Sequence, residues 1–504
     1  MSGPYLAGVD VGTTGLKAAV FDLEGRVVAE ASRAYPVFQP QMGWAEQDPE
    51  QWWNAFREAV GELTRKVEPS GIASIAVDSQ CPSLVPVKAD GQPLRNAMLW
   101  LDRRSVSQAE WIKRTVGEQK IVTIAYNRVA AGALSAPGML WIREHEPQVF
   151  EAARWFLHAN GYITLKLIGR ATMDWANASF TLLFNVARRE WSRELCDLAG
   201  IPVEKLPEAV APWVQVGWVS TEAARETGLR QGTPVVAGTA DSAAAALGVG
   251  AVHVGDSMDS SGASTVLGVC VDKPLCDRRF MVRAHAIPDR WLFMAPSSAT
   301  GASLRWFRDN LYRHESRRAE ELQLNAYQLM DLEAERSPPG AKGLVFLPYL
   351  AGERAPIWDP DAKGLLYGLT LSHTRADVIR AIMEGAVYAL RHNLELMETL
   401  GLQIETIRLT GGHAKSRLWR QIKADITGRK VIVTAVKEAA ALGSAMLAAV
   451  GVGFFKNPVE ASECMVHAEE EVEPNLELQK TYMPLFNLYK RLYRPELKLS
   501  RYGL

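Results

Sequence analysis

The sequence predicts an α/β protein of two domains with a duplicated core. Three observations carry this. The chain has 504 residues, more than one hydrophobic core organises, so two large domains are expected. Strand patterns alternate with helix patterns through its first half. A Gly- and hydroxyl-rich hairpin at the N-terminal end is echoed by a second one after Gly255, as an internal repeat would produce. The expected boundary divides the chain into residues 1–254 and 255–504.

The first hairpin is built around Asp10-Val-Gly-Thr-Thr-Gly-Leu-Lys17, between the apolar runs Tyr5–Val9 and Leu16–Phe21. Its glycines let main-chain N–H groups approach an anion, and its threonines add donors. A carboxylate beside a phosphate would repel it unless a divalent cation lay between them. The loop therefore reads as a nucleotide-phosphate site, with an ordinary hairpin turn as the alternative. No G-x-x-x-x-G-K-[ST] motif occurs, which excludes a P-loop.

The elements that follow each have a local cause. Asp48-Pro49-Glu50 opens a helix, with Asp as cap and Pro in the first turn. Gly71–Val77 is an expected buried strand running into Asp78-Ser-Gln-Cys-Pro-Ser83. Ser135–Glu144 and Glu151–Ile168 have helical patterns. Val235–Val236 leads through Ala-Gly-Thr-Ala to Asp241, and the alanines after it predict a helix. The second hairpin comprises Ser257–Ser260, the turn Ser261-Gly-Ala-Ser-Thr265 and Val266–Val271. Arg313–Arg336 is charged enough to be a solvated helix. Leu344–Leu347 and Ile404–Leu409 are expected strands, and Asp377–Met397 and Glu438–Val450 expected helices.

Composition narrows the partners. Lys and Arg number 56 against 57 Asp and Glu, a balance that leaves no footprint for nucleic acid or an anionic membrane. The apolar stretches Ala243–Val254 and Ala445–Phe455 are too short to span a bilayer. No secretory leader pattern is visible at Met1. Five scattered cysteines without a C-x-x-C favour neither disulfides nor zinc, and a reducing cytoplasm is the expected compartment. His145-Glu146 has no second His at zinc-protease spacing and reads as surface charge.

Taken together these segments resemble the FGGY carbohydrate kinases, most closely the xylulokinase-like branch. The opening loop is similar to the family's first phosphate loop. Gly364-Leu-Leu-Tyr-Gly-Leu369, seven residues, then Asp377-Val-Ile-Arg-Ala-Ile-Met-Glu384 resembles its C-terminal signature. Ser135-Ala-Pro-Gly-Met-Leu-Trp141 is similar to the N-terminal one, with Gly138 where the family carries Lys. Trp44–Trp53 is typical of the family, and Gly411-Gly412 and Glu438–Ser444 resemble its adenosine-binding segments. The resemblance runs in order from residue 5 to residue 452.

It implies a two-domain actin/hexokinase/Hsp70-like (ribonuclease H-like) fold with ATP and sugar in an interdomain cleft, and phosphorylation of a ketopentose such as D-xylulose. Asp241 is the implied catalytic base; its local pattern equally fits a helix cap. Asp10 is the implied partner of Mg2+, or else the acceptor of its own turn. Gly12, Thr13, Thr14 and Lys17 would line the phosphates, with Lys17 alternatively solvent-facing. Gly262, Ser264 and Thr265 form the second loop, where Ala263 stands in place of a hydroxyl residue. Gly411, Gly412 and Lys415 would contact the nucleoside. The sugar pocket would draw on Gln80, Cys81, Pro82, Trp100, Asp102, Asp241 and Ser242, with Trp100 alternatively plain core and Asp102 alternatively paired with a neighbouring Arg. Several of these depart from the xylulokinase pattern, which points to an altered or broader acceptor. Another sugar or polyol, and a catalytically silent sugar or nucleotide sensor, are the alternatives. A homodimer is expected from related kinases alone.

Overall fold

The computed structural model describes residues 3–321 and 323–494. Tertiary packing divides the chain into two units. The first comprises residues 1–254, 270–293 and 438–467, and the second 255–269, 294–437 and 468–504. The first unit thus takes in more than the expected N-terminal half. The chain returns to it twice after residue 254.

The first unit is built on β1 (Tyr5–Val11), β2 (Gly15–Phe21), β3 (Val27–Ala34), β4 (Ile72–Ser79), β5 (Gln215–Trp218) and β6 (Pro234–Ala240), in the order β5-β6-β4-β1-β2-β3. β1 and β2 form the hairpin, β4 and β6 run parallel in the centre, and β5 is antiparallel to β6. Side chains alternate across β1. Ala7 and Val9 pack with Trp52 and Phe56 of helix Pro49–Lys66, whose Asp48 cap accepts from Glu50 N at 3.0 Å. On the other face Gly8 meets helix Ala439–Gly451: a Cβ there would fall 1.8 Å from the Ala441 carbonyl oxygen. A Cβ on Gly443 would fall 2.0 Å from that of Ala244. The small residues of Glu438–Ser444 therefore serve backbone-to-backbone packing inside the first unit.

One predicted helix is broken. Within Glu151–Ile168, Trp155–Leu157 is a strand pairing with Ser83–Val87, and a helix resumes only at Ala159–Ile168. Cross-strand pairing outweighed a helical pattern too short to discriminate.

In the second unit β7 (Ser257–Ser261) and β8 (Thr265–Val271) form the second hairpin. β9 (Thr406–Gly411) runs parallel to β7, β10 (Lys430–Thr434) parallel to β9, and β11 (Ala468–Val472) antiparallel to β10. Order and sense reproduce β2-β1-β4-β6-β5, so the duplicated core is real. The long helix Arg375–Thr399 carries the signature acids. Asp377 closes a capping box with Thr374 and binds Ser337 and Lys342, while buried Glu384 pairs with Arg380 at 2.8 Å. Arg313–Arg336 contains two helices, Arg313–Glu321 and Ala326–Ala334.

Candidate active site

In the first unit three adjacent strands carry an aspartate at or just beyond their C-terminal ends. Asp10 lies on β1 and Asp78 directly opposite it on β4. Thr239 of β6 is the other register partner of Asp78, and Asp241 follows two residues on, opening helix Asp241–Gly248. Parallel strands place such ends side by side, with the first turn of the next helix above them. The Asp241 Oδ1 accepts the Ser242 N–H at 2.6 Å; Asp241 is the first residue of the helix and Ala240 its N-cap, so Asp241 does not cap it.

The electrostatics of this cluster are unusual. Burial, then the charge of Asp241, push the Asp10 carboxyl up to about 7. Burial and the Asp10 charge push Asp78 well above the ordinary range. Asp241 is raised by burial and drawn back by the positive charge of Arg283. The Oδ1 atoms of Asp10 and Asp78 are buried and accept no hydrogen bond, while Asp78 Oδ2 accepts from Ser444 Oγ at 2.6 Å. Crowded acids with orphaned oxygens are what a hard cation would satisfy, directly or through water. Among the described residues, no group of three or more His, Cys, Asp or Glu forms an all-protein cation cage. The sequence reading missed Asp78, although an Asp at the exit of an otherwise apolar strand was the signal.

The first loop is held from beneath. Thr13 Oγ1 donates to Gln80 Oε1 at 2.9 Å and accepts from the Trp100 indole at 3.1 Å. Gln80 Nε2 donates to Gln47 Oε1 at 2.7 Å, and Gln47 Nε2 to the Thr13 carbonyl at 2.7 Å. Gln80 is buried with both ends of its amide engaged, and Trp100 acts as a donor as well as a wall. Gly12 is partly buried and Thr14 exposed. Lys17 pairs with Glu438 at 2.6 Å.

Cys81 and Arg283 stand near Asp241. Burial pushes the Cys81 thiol up to about 12, with Arg283 opposing that shift and Asp241 adding to it. Its Sγ lies 3.7 Å from His158 Nδ1, and burial holds that imidazole down at about 4. Pro82 and Ser242 are buried beside these residues in sequence. Asp102 departs from its expected role. Both its oxygens bind the Arg104 guanidinium (2.7–3.0 Å), and one also accepts Ala45 N–H at 2.7 Å. With Arg104 stacked 3.5 Å over Trp44, Asp102 is an ion-pair anchor whose acceptors are already taken.

The second unit holds a cavity of about 500 Å³ lined by Gly262, Ala263, Gly301, Tyr327, Asp331, Gly412, His413, Lys415, Ser416 and Trp419 among others. It gathers Gly262, Gly412 and Lys415 of the expected nucleotide residues. His413 stacks on Trp419 at 3.5 Å, and burial holds its imidazole well below the ordinary range, hence neutral. Gly411 has φ +86° and is the β9 residue opposite Ser261. Ser264 is partly exposed, but Thr265 is buried with its hydroxyl 2.7 Å from that of Thr300. Thr265 therefore braces the loop, and Ser264 is its available hydroxyl. Tyr327 and Asp331 lay in a charged stretch that read only as a surface helix.

Comparisons with known proteins agree with this architecture. The model of the FGGY family of carbohydrate kinases, N-terminal domain, matches residues 5–248, and that of the C-terminal domain residues 258–452. The chain is 34% identical to the xylulose kinase of Bacillus subtilis, covering 97% of this chain and 96% of that one. It is 30% identical to the gluconokinase of the same species, covering 99% and 98%. Among solved structures it is similar to a xylulose kinase from Rhodospirillum rubrum (TM-score 0.89, 31% identity, 97% and 98% covered). A gluconate kinase from Lactobacillus acidophilus gives TM-score 0.89 at 28% identity, with 97% of each chain covered. The two matched sheets are thus the actin/hexokinase-like pair that the resemblance implied, and no helix among the described residues is long and apolar enough to cross a membrane. The chain belongs to the FGGY family of carbohydrate kinases and is an ATP-dependent sugar kinase.

Proposed function

We propose that the chain transfers the γ-phosphoryl group of ATP to a hydroxyl of a small sugar-derived acceptor, with Asp241 as general base. The observation that carries this reading is the alignment of Asp10, Asp78 and Asp241 on three adjacent strand ends. Asp241, raised by burial, is basic enough to accept a hydroxyl proton as the oxygen becomes nucleophilic. Mg·ATP supplies the phosphoryl group and screens its charge. Asp10, backed by Asp78, would hold the cation through water, the Thr13 N–H and the Thr14 hydroxyl would donate to the phosphates, and Gly12, whose own N–H is given to the Gly15 carbonyl at 3.0 Å, would let them approach closely. The cavity at Gly412, His413 and Trp419 suits a flat base, with Lys415 and Ser264 as polar contacts.

A ketopentose such as D-xylulose is the acceptor suggested by the xylulose kinases to which the chain is similar. A sugar acid is a second reading, favoured by a buried arginine with open donors, Arg283, and compatible with the similarity to gluconate kinases. ADP release from Mg·ATP with ketopentoses, polyols and aldonates, repeated with Asp241→Asn, tests the reaction. Acceptor-dependent release lost in the variant is expected. ATP binding with no release for any acceptor would favour a sensor instead.

A further inference from the structure

Arg283 sits on the short strand Met281–Ala284, fixed from both sides by side chains. Asn127 accepts the Val282 N–H at 2.9 Å and donates to the Val282 carbonyl at 2.7 Å. Ser179 Oγ accepts the Ala284 N–H at 3.0 Å. The residue between them is 1% exposed, yet Nε and Nη1 of its guanidinium have no hydrogen-bond partner. Its cation lies 3.8 Å above the Phe180 ring. Asp241, His158 and Cys81 feel its charge. No carboxylate of the described residues forms an ion pair with it.

A buried guanidinium without an anion is a costly arrangement, and an aromatic face offsets only part of the cost. A fold that needed the charge only for stability would pair it. Here the strand is pinned while two of the guanidinium nitrogens are left open. Nε and Nη1 lie on different edges of the guanidinium, so each offers a separate N–H to a carboxylate oxygen. Its charge acts on Asp241, the group that would deprotonate the acceptor.

We propose that Arg283 binds a carboxylate of the acceptor, which makes the substrate a sugar acid of the aldonate class. This rests on the kinase reading above. An acceptor carboxylate at Arg283 would place the far end of an open-chain polyhydroxy acid, where a free hydroxyl lies, toward Asp241. A neutral ketose would leave the buried guanidinium without its anion, and that is how such a site rejects it.

The test compares D-gluconate, the neutral D-glucitol and D-xylulose as acceptors with Mg·ATP, and measures direct binding of each by calorimetry. The wild-type chain and Arg283→Met and Arg283→Lys are compared. For the wild type, kcat/KM for D-gluconate should exceed that for either neutral acceptor at least tenfold. Arg283→Met should lose at least about a hundredfold toward D-gluconate, with Arg283→Lys between, while KM for ATP stays unchanged. Binding of D-gluconate but not D-glucitol should raise the wild-type Tm, a readout that needs no variant. Two results overturn the proposal: D-xylulose preferred and equally affected in all three chains, or a KM for ATP that rises with every acceptor alike, which assigns Arg283 to nucleotide phosphate. Arg283-dependent D-gluconate binding without turnover would uphold the site while overturning the kinase reading.

Discussion

Asp10 and Asp78 are register partners on parallel strands, and each is left with one buried carboxylate oxygen that accepts no hydrogen bond. The other Asp78 oxygen is fixed by Ser444. Two acids forced together in this way need either a proton or a cation between them. Asp10→Asn should therefore raise the Mg2+ concentration for half-maximal activity by about tenfold or more. Ser444→Ala, which frees Asp78 without touching the nucleotide loops, should raise it roughly tenfold through its effect on a supporting residue. Mg2+ titration of kcat in each variant checks this; equal midpoints would remove Asp10 from cation binding.

Asp241→Asn keeps the shape of the helix start and the acceptor oxygen for the Ser242 N–H. The expected loss is ~10²–10⁴-fold in kcat, with KM for ATP little changed. Steady-state kinetics together with an unchanged Tm separate this from misfolding.

Arg283 lowers the carboxyl of Asp241 while burial raises it. A base must be deprotonated, so activity falls on the acid side of that titration. In Arg283→Met the opposing charge is gone, and the acid limb of kcat should move to higher pH. Arg283→Lys keeps the charge and should leave the limb close to its wild-type position. A pH–rate profile with a neutral acceptor measures this apart from carboxylate recognition.

Gly411 and Gly412 are expected to respond differently to alanine. At Gly411 the φ of +86° and a Cβ placed 2.3 Å from the Ser261 carbonyl oxygen both oppose substitution, for a loss of at least ~1–2 kcal/mol. At Gly412 the nearest atom would be 3.6 Å away, an ordinary contact. Gly412→Ala should keep the wild-type Tm yet weaken ATP binding several-fold if the base lies against this residue. Unaltered nucleotide affinity in Gly412→Ala would move the adenine elsewhere in the cavity.

Glu353 is buried, accepts the Ser298 and Arg354 N–H groups at 2.7 Å each, and is pushed up to about 7 by burial from an ordinary 4.5. Between those values the folded chain binds more protons at this residue than the unfolded chain, so its contribution to stability falls as pH rises and levels above about 7. Glu353→Gln removes this dependence, by up to roughly 3 kcal/mol across the window. Urea denaturation at pH 5 and pH 8 should show a smaller loss in the variant.

Much was legible in the chain because the signals were local. The turn chemistry of Asp10–Lys17 and Ser261–Thr265, the Asp48 cap and the strand running into Asp241 are each fixed by neighbours in sequence, and their repetition gave the duplicated core. The family signatures were legible too, although Asp377 and Glu384 turn out to cap and pair within a helix region. What the sequence could not assign were facts of register and burial. Asp78 matters because β4 lies beside β1. Of the two readings of Asp102, the ion pair holds because Arg104 folds back over Trp44. Thr265 is turned to Thr300, and Tyr327 and Asp331 enter the cavity of the second unit from a stretch that read as surface. Helix Ala439–Gly451 belongs to the first unit because Gly8 and Gly443 allow backbones to touch. Arg283 gave no sequence signal at all, since an arginine in a short strand is ordinary until its burial and its missing anion are seen. Local propensity and turn geometry act over a few residues, so the sequence by itself determined the fold class and the loops. Charge pairing and desolvation act between segments far apart in the chain, and only the tertiary structure decided which acids and which cation the site leaves open.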